Sequence, residues 1–390
     1  MNPVLAAHGA FRAWLFDHAL PFWADIGCDP GLGAHEHLDW TGTPALPGFK
    51  RLRVQARQLL VFSQAALLGW PQGEAAAHGI YRFMTRHADD HPWARRLTRH
   101  GDVLDPTADL YDLAFVLLSL AWYARLTGSA EPVARADRLL AWLDRRMAHP
   151  AGGYANSLPA ESGWRQQNPH MHLLEAVLAL FETTEGADHA HRAATLVDLF
   201  RARLLDPATG TLGEYFAEDW SAAGMDAGNQ VEPGHQYEWV WLLAEADRLI
   251  GTRTGGERAL LYGFCARHGV DAATGLVHDE LARDGGIRRG SARLWVQTEA
   301  LRAHAVMQDE AGIPRIVGNL LGRYLAHPVA GAWTDHLDET FAPASVIVPA
   351  SSFYHILTGY AALDQFVELR IRPRYPQGSP LSTGQTSTEA

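Results

Sequence analysis

Residues 109–128 read DLYDLAFVLLSLAWYARLTG and residues 170–186 read HMHLLEAVLALFETTEG. In both, apolar side chains recur at helical spacing and the run ends at a glycine, the pattern of a core helix with a defined stop. RVQARQLLVFSQAALLGW (53–70) repeats it. Working outward from these three, twelve helical segments are predicted, near residues 4–26, 51–69, 72–88, 109–127, 130–148, 168–185, 188–204, 233–251, 256–268, 291–309, 313–327 and 350–368.

The links between segments decide how they assemble. GWPQG, TGSAE, TEGADH, GTRTGG and EAGIP are short and turn-like. The alternate links, near 27–50, 89–108, 149–167, 205–232, 269–290 and 328–349, are long. They hold Gly/Asp turns beside short strand-like pieces, as in HPAGGYANS (149–157), DPATGTLGEYF (206–216), DAATGLVHDEL (271–281) and AGAWTDHLD (330–338). Long connections in a compact fold usually carry function. The layout predicts an all-α fold of six helical hairpins, one every roughly 60 residues. Closed into a ring, they form an (α/α)6 barrel with short β-hairpins in the long loops of one face. An open α-solenoid scaffold is the alternative. Residues 1–370 are read as one domain. Residues 371–390 are Pro/Gly/Ser/Thr-rich, nearly free of apolar side chains, and are read as a disordered tail.

Composition narrows the function classes. The net charge is -11 and Lys50 is the sole lysine, with no basic run, so nucleic acid and anionic membrane are poor partners. Cys28 and Cys265 suit neither a disulfide framework nor a CxxC metal site, and a reducing cytoplasm is the default location. The first segment is interrupted by His8, Arg12, Asp17 and His18 and reads as an amphipathic helix, not a leader peptide. No run of 18 uninterrupted apolar residues suggests a membrane span.

The chemically expensive residues fall near the starts of the segments that follow long loops. Arg57 interrupts an apolar face and offers a donor fork suited to sugar or enediolate oxygens, or to a carboxylate partner. In Asn168-Pro169-His170-Met171-His172, Asn168 makes a good helix cap. His170 and His172 lie about 200° apart, so only one faces a pocket, and His172 is the choice. In Pro233-Gly234-His235-Gln236-Tyr237-Glu238, the carboxylate of Glu238 one turn on can fix the tautomer of His235. Trp295 can stack on a sugar face or simply pack in the core, and Glu299 one turn later can point the same way. In Ser351-Ser352-Phe353-Tyr354-His355, a serine cap puts His355 at the positive end of a helix dipole, which favours its neutral form. The histidines match no standard metal spacing, so neither metal nor cofactor is expected. Asp109, Asp112, Glu214 and Asp335 are spare acids that a toroid glycosidase could use, but histidines dominate the inner face.

Five segments in order, QARQLLVFSQA (55–65), NPHMHLLEA (168–176), PGHQYEWVWLL (233–243), LWVQTEALRA (294–303) and PASSFYHI (349–356), resemble the N-acylglucosamine 2-epimerase superfamily. The resemblance spans about residues 10–370. It implies an (α/α)6 barrel and metal-independent proton transfer at C1 and C2 of a sugar through a cis-enediolate. By position it implies His235 and His355 as the acid/base pair, His172 as an accessory histidine and Glu238 as the supporting carboxylate. Arg57 and Asn168 would hold the reacting end of the sugar, and Trp295 would be a pocket tryptophan. The superfamily's disaccharide epimerases carry tandem tryptophans where this chain has Leu294-Trp295, and a tryptophan just before the last histidine. Their absence points to a monosaccharide. The texture of 109–128 and VPASSFYHI resembles the mannose-isomerase side, and no phosphate-binding loop or basic cluster is seen. The expectation is interconversion of free mannose and fructose, with 2-epimerisation as the alternative. The assembly is open, a homodimer included.

Overall fold

The computed structural model describes residues 2–86, 93–161, 163–224 and 226–372. The tail expected at 371–390 lies outside these from residue 373 onward. Helices α1 (Pro3–Trp14) and α2 (Leu20–Asp25) are joined by a π-turn, and α3 (Leu52–Leu67) and α4 (Gly73–Thr85) form a hairpin. Four more hairpins follow: α5 (Leu110–Thr127) with α6 (Glu131–Arg146), α7 (Asn168–Thr184) with α8 (Ala187–Leu199), α9 (Pro233–Ile250) with α10 (Gly255–Phe264), and α11 (Leu294–Met307) with α12 (Gly312–Asn319). Helix α13 (Phe353–Phe366) completes the set.

Helix α3 packs on α5, α5 on α7, α7 on α9, α9 on α11, α11 on α13 and α13 back on α3, which closes the inner ring. These helices are buried nearly all round, whereas α6 and α12 bury one stripe and face solvent with the other. Helix α5 is long and apolar enough to cross a membrane by length and composition, but 72% of it is buried inside the protein as an inner helix. Local chemistry sets the helix ends. Asp109 caps α5 by accepting from the Asp112 amide at 3.2 Å, and Gly128 ends it at φ 66°. Helix α7 ends at Thr184, two residues before the glycine expected to end it, with Glu185 taking the left-handed position at φ 54°.

The sixth hairpin is assembled from both chain ends, α1 and α2 against α13. His8 Nε2 lies 2.7 Å from Asp364 Oδ1, and Phe11 packs edge-on against Tyr360. Trp23 stacks on Trp333 at 4.6 Å and donates to the Gly331 carbonyl at 3.1 Å, with both indoles fully buried.

The strands are arranged differently from the expectation of hairpins within each loop. The piece in front of every inner helix pairs antiparallel with the next loop along the ring. Lys50–Arg51 pairs with Arg96–Leu97, Ala108–Asp109 with Ser157–Leu158, and Arg165–Gln166 with Tyr215–Phe216. Gln230–Val231 pairs with Glu280–Ala282, and Ala292–Arg293 with His336–Leu337. Ile347–Pro349 returns to His37–Asp39 in the first loop. True hairpins also occur, as at Leu205–Asp206 with Thr211–Leu212. All six long loops therefore gather on one face, over the N-terminal ends of the inner helices.

Trp23→Ala should lower stability by about 3–5 kcal/mol, the range for deleting a buried tryptophan. A thermal melt monitored by circular dichroism checks it, and an unchanged Tm would remove the closure role given to this indole.

Candidate active site

A cavity of about 660 Å³ opens between the long loops and runs into the bore. Arg57, Tyr111, Asn168, His172, His235, Glu238, Trp295 and His355 line it, drawn from all six inner helices. Seven of these were singled out from the sequence; Tyr111 was not. Asn168 sits in the first turn of α7, with Gln167 in the cap position, so it is not the cap its Asn-Pro context suggests. Its Oδ1 has no hydrogen-bond partner among the described residues. His170 turns away from the cavity: its Nε2 accepts from the Tyr154 amide at 2.9 Å and its Nδ1 donates to the Gln166 carbonyl at 3.0 Å.

Four histidines line the cavity, His336 at its mouth, and each of the other three has Nδ1 held by a carboxylate. His235 Nδ1 lies 2.8 Å from Glu214 Oε2 and 3.9 Å from Glu232. His355 Nδ1 lies 2.7 Å from Glu299 Oε1, and His172 Nδ1 lies 3.2 Å from Glu175 Oε2. An ionised carboxylate only accepts, so it selects the Nδ1–H tautomer and leaves Nε2 for the cavity.

Three expectations are corrected here. Glu238 is not the partner of His235. Helical side chains lean toward the N-terminal end, which carries the His235 ring up to loop residues Glu214 and Glu232. Glu238 instead lies 3.6 Å from His172 and 3.9 Å from Arg302, with neither oxygen hydrogen-bonded among the described residues. Burial, with Glu299 and Glu175 nearby, raises its carboxyl well above the usual range, so it is a neutral acid at the cavity wall. Glu299 does not face the cavity beside Trp295. It is fully buried behind His355 and also accepts from Arg302 at 2.7 Å. The serine cap is likewise absent: the Ser352 hydroxyl donates to Asp335, and a short 3-10 turn leads into α13.

The surroundings drive the histidines apart in charge. For His235 burial pulls downward, but Glu214 and Glu232 together outweigh it and the ring is raised to about 9. For His355 burial again pulls downward, and Arg57 and Arg302 add to it, holding the ring well below the ordinary value. Burial also lowers His172 to about 4. At neutral pH His235 is an imidazolium and His355 a free base. Trp295 sits against both, with ring centroids 5.1 Å from His235 and 5.6 Å from His355. Arg57 lies 4.1 Å over the Phe115 ring and donates to the Ser351 carbonyl at 3.2 Å and to the Tyr111 hydroxyl.

Among the described residues, two trios bring ligand-type atoms within 4.8 Å, His172 with Glu175 and Glu238, and His235 with Glu214 and Glu232. Their charges are answered from within the protein. Glu175 accepts from Arg302 at 3.0 Å, Glu232 from Arg293 at 3.1 Å, and Glu214 from Gln167 at 3.0 Å. Both trios read as supports for the histidines. Of the acids weighed for glycosidase chemistry, Asp109 caps a helix, Asp112 pairs with Arg53 at 2.8 Å, Glu214 holds His235, and Asp335 lines the cavity mouth.

Glu214→Gln should lower the pKa of His235 and move the high-pH limb of kcat/KM downward from near 9, which a pH–rate profile reads. Gly234→Ala should lower turnover about 10-fold or more, the scale expected from misplacing a site group. A Cβ there would stand 2.4 Å from the Trp295 ring, which must shift. Wild-type kcat in that variant, measured with the sugar substrate, would show that the indole position is not critical.

The N-acylglucosamine 2-epimerase (GlcNAc 2-epimerase) family model matches residues 33–359. A mannose-6-phosphate isomerase of Rhizobium meliloti (strain 1021) is 34% identical over 376 residues, covering 91% of this chain and 96% of the relative. A D-mannose isomerase of Thermobifida fusca is 28% identical over 379 residues, covering 86% and 89%. Among solved structures, a D-mannose isomerase superposes with TM-score 0.82 at 21% identity, covering 92% of this chain and 97% of that one. The cellobiose 2-epimerase of Spirochaeta thermophila DSM 6192 superposes with TM-score 0.80 at 25% identity, covering 93% and 98%. The chain is therefore a member of the N-acylglucosamine 2-epimerase family, an (α/α)6-barrel enzyme of the carbohydrate isomerase and epimerase class.

Proposed function

We propose that the chain interconverts an unphosphorylated aldose and its ketose, mannose and fructose first among them. The observation that carries this reading is the pair of histidines, one protonated and one neutral, against one indole. His355 Nε2 takes the proton from C2 of the opened aldose. Arg57 steadies the developing enediolate oxygens, and the His235 imidazolium supplies a proton to oxygen. His355, its proton exchanging with solvent at the enediol stage, then protonates C1 while the O2 hydroxyl gives its proton back to His235, and the ketose results. His172 and the neutral acid Glu238 stand where ring opening needs proton exchange, and Asn168 offers its free oxygen to a sugar hydroxyl.

The mouth of the cavity supports a neutral sugar. Arg51 is bound to Glu36 at 2.7 Å, and Arg293 is shared between Glu232 at 3.1 Å and Asp279 at 3.2 Å. Asp335 adds another acid. Among the described residues, neither mouth guanidinium is left over for a phosphate. A monosaccharide is supported by Leu294, which is fully buried, and by Tyr354, which is spent on Glu175 in the bore. Neither can act as a platform for a second ring.

Incubation with mannose in deuterated water tests the reading, with products resolved by NMR. Deuterium at C1 of fructose is expected. Deuterium at C2 of glucose would replace isomerisation by 2-epimerisation, and faster turnover of mannose 6-phosphate than of mannose would overturn the neutral-sugar assignment.

A further inference from the structure

Arg302 lies across the middle of the bore and is fully buried. Nη1 donates to Glu299 at 2.7 Å, Nη2 donates to Glu175 at 3.0 Å, and the guanidinium sits 3.7 Å over the Trp241 ring. It does not line the sugar cavity. It lines a separate cavity of about 300 Å³ at the other end of the bore, so it is placed away from substrate. Both carboxylates it grips have a second task. The other oxygen of Glu299 holds His355 Nδ1, and the other oxygen of Glu175 holds His172 Nδ1 and the Tyr354 hydroxyl.

We propose that Arg302 is a positioning residue for proton transfer, its fork fixing Glu299 and Glu175 so that each locks one histidine ring, and its charge standing behind His355. The proposal rests on the assignment of His355 as base. A planar fork can span two carboxylates in fixed directions, which a lysine ammonium cannot.

The groups facing His355 come from every neighbouring element. They are Arg57 from α3, Glu175 and His172 from α7, His235 from α9, Glu299 and Arg302 from α11, and Tyr354 on its own helix. Helix α1, which also packs on α13, presents His8 to Asp364 and Tyr360 instead. Arg57 and Arg302 oppose a proton on His355, while Glu175 favours one. Removing Arg302 makes His355 hold its proton to higher pH, so activity is lost earlier as pH falls.

Arg302→Gln should raise the low-pH limb of kcat/KM by about one pH unit or more, the scale of one nearby charge. Arg302→Lys keeps the charge and loses the fork, so its limb should stay in place. Its kcat should fall about 10–100-fold at nearly unchanged KM, as for other orienting partners. Circular dichroism melts establish that each variant folds. Should Arg302→Gln fail to fold, Arg302→Lys alone decides, by its fall in kcat with the limb unmoved. A limb that does not move in Arg302→Gln, or wild-type kcat in Arg302→Lys, overturns the role of Arg302 alone. Absence of deuterium exchange by the wild-type enzyme with any hexose overturns the proton-transfer reading and this proposal together.

Discussion

The circuit of strand pairings on the loop face is the constraint on which the site depends. Each inner helix begins directly after a short strand, and each strand is hydrogen-bonded to the following loop until the sixth returns to the first. A strand pairing has a discrete register, because a slip of one residue turns every side chain to the opposite face. The circuit therefore sets the depth and rotation of six helix starts at once. The side chains that meet in the cavity sit close behind those strands: Tyr111 after Asp109, Asn168 after Gln166, His235 after Val231, Trp295 after Arg293 and His355 after Pro349. A site collected from six helices would otherwise accumulate six independent errors, and a misplacement of about 1 Å is enough to impair catalysis.

Below that layer the bore holds charge where most proteins hold hydrocarbon. Glu175, Glu238, Glu299 and Arg302 are all buried, and aromatic rings surround them. Burying ion pairs is seldom a gain in stability, because desolvation offsets the attraction. Orientation is the better account of their presence. Glu175 is held to about 2, with burial opposed by His172, Arg302 and Tyr354, so it stays ionised and directional. Glu238, without a hydrogen-bond partner, goes the other way and keeps its proton. One layer thus contains both an ionised acceptor and a neutral donor, the two states a proton-handling site draws on.

The helices, their inner and outer alternation and the loop face were legible because each rests on local signals: a 3.6-residue period, a glycine stop, a long or short link. The histidines were legible for a related reason, since polar residues at the starts of apolar helices stand out against their neighbours. Their partners were not. Glu238 looked like the support of His235 because three residues along a helix is one turn. The true partner, Glu214, lies 21 residues back, in the bend between two loop strands, and is steadied by Gln167, which in turn accepts from Trp239 on the same helix as His235. Glu299 was read as facing the sugar because it shares a helical face with Trp295. The ring geometry instead turns it toward Arg302 and His355. The origin of the sixth hairpin from both chain ends shares this character, being a matter of closure that no local window contains.

His235 and His355 show how little of a histidine's chemistry belongs to the histidine. Both occupy the first turn of an inner helix, both are almost fully buried, both have Nδ1 on a carboxylate, and both touch Trp295. Helix position cannot separate them, since a helix N-terminus disfavours the cation in each case. The balance of the remaining neighbours does. Glu214 and Glu232 lie against His235 with Arg293 beyond them, so negative charge is in excess there. Around His355 the acids Glu299 and Glu175 are outnumbered by Arg57, Arg302 and the His235 cation. Each arrangement needs the other. A site with two imidazolium rings has no base, and one with two neutral rings has no acid, so the charges placed behind the rings set the direction in which protons move across the sugar.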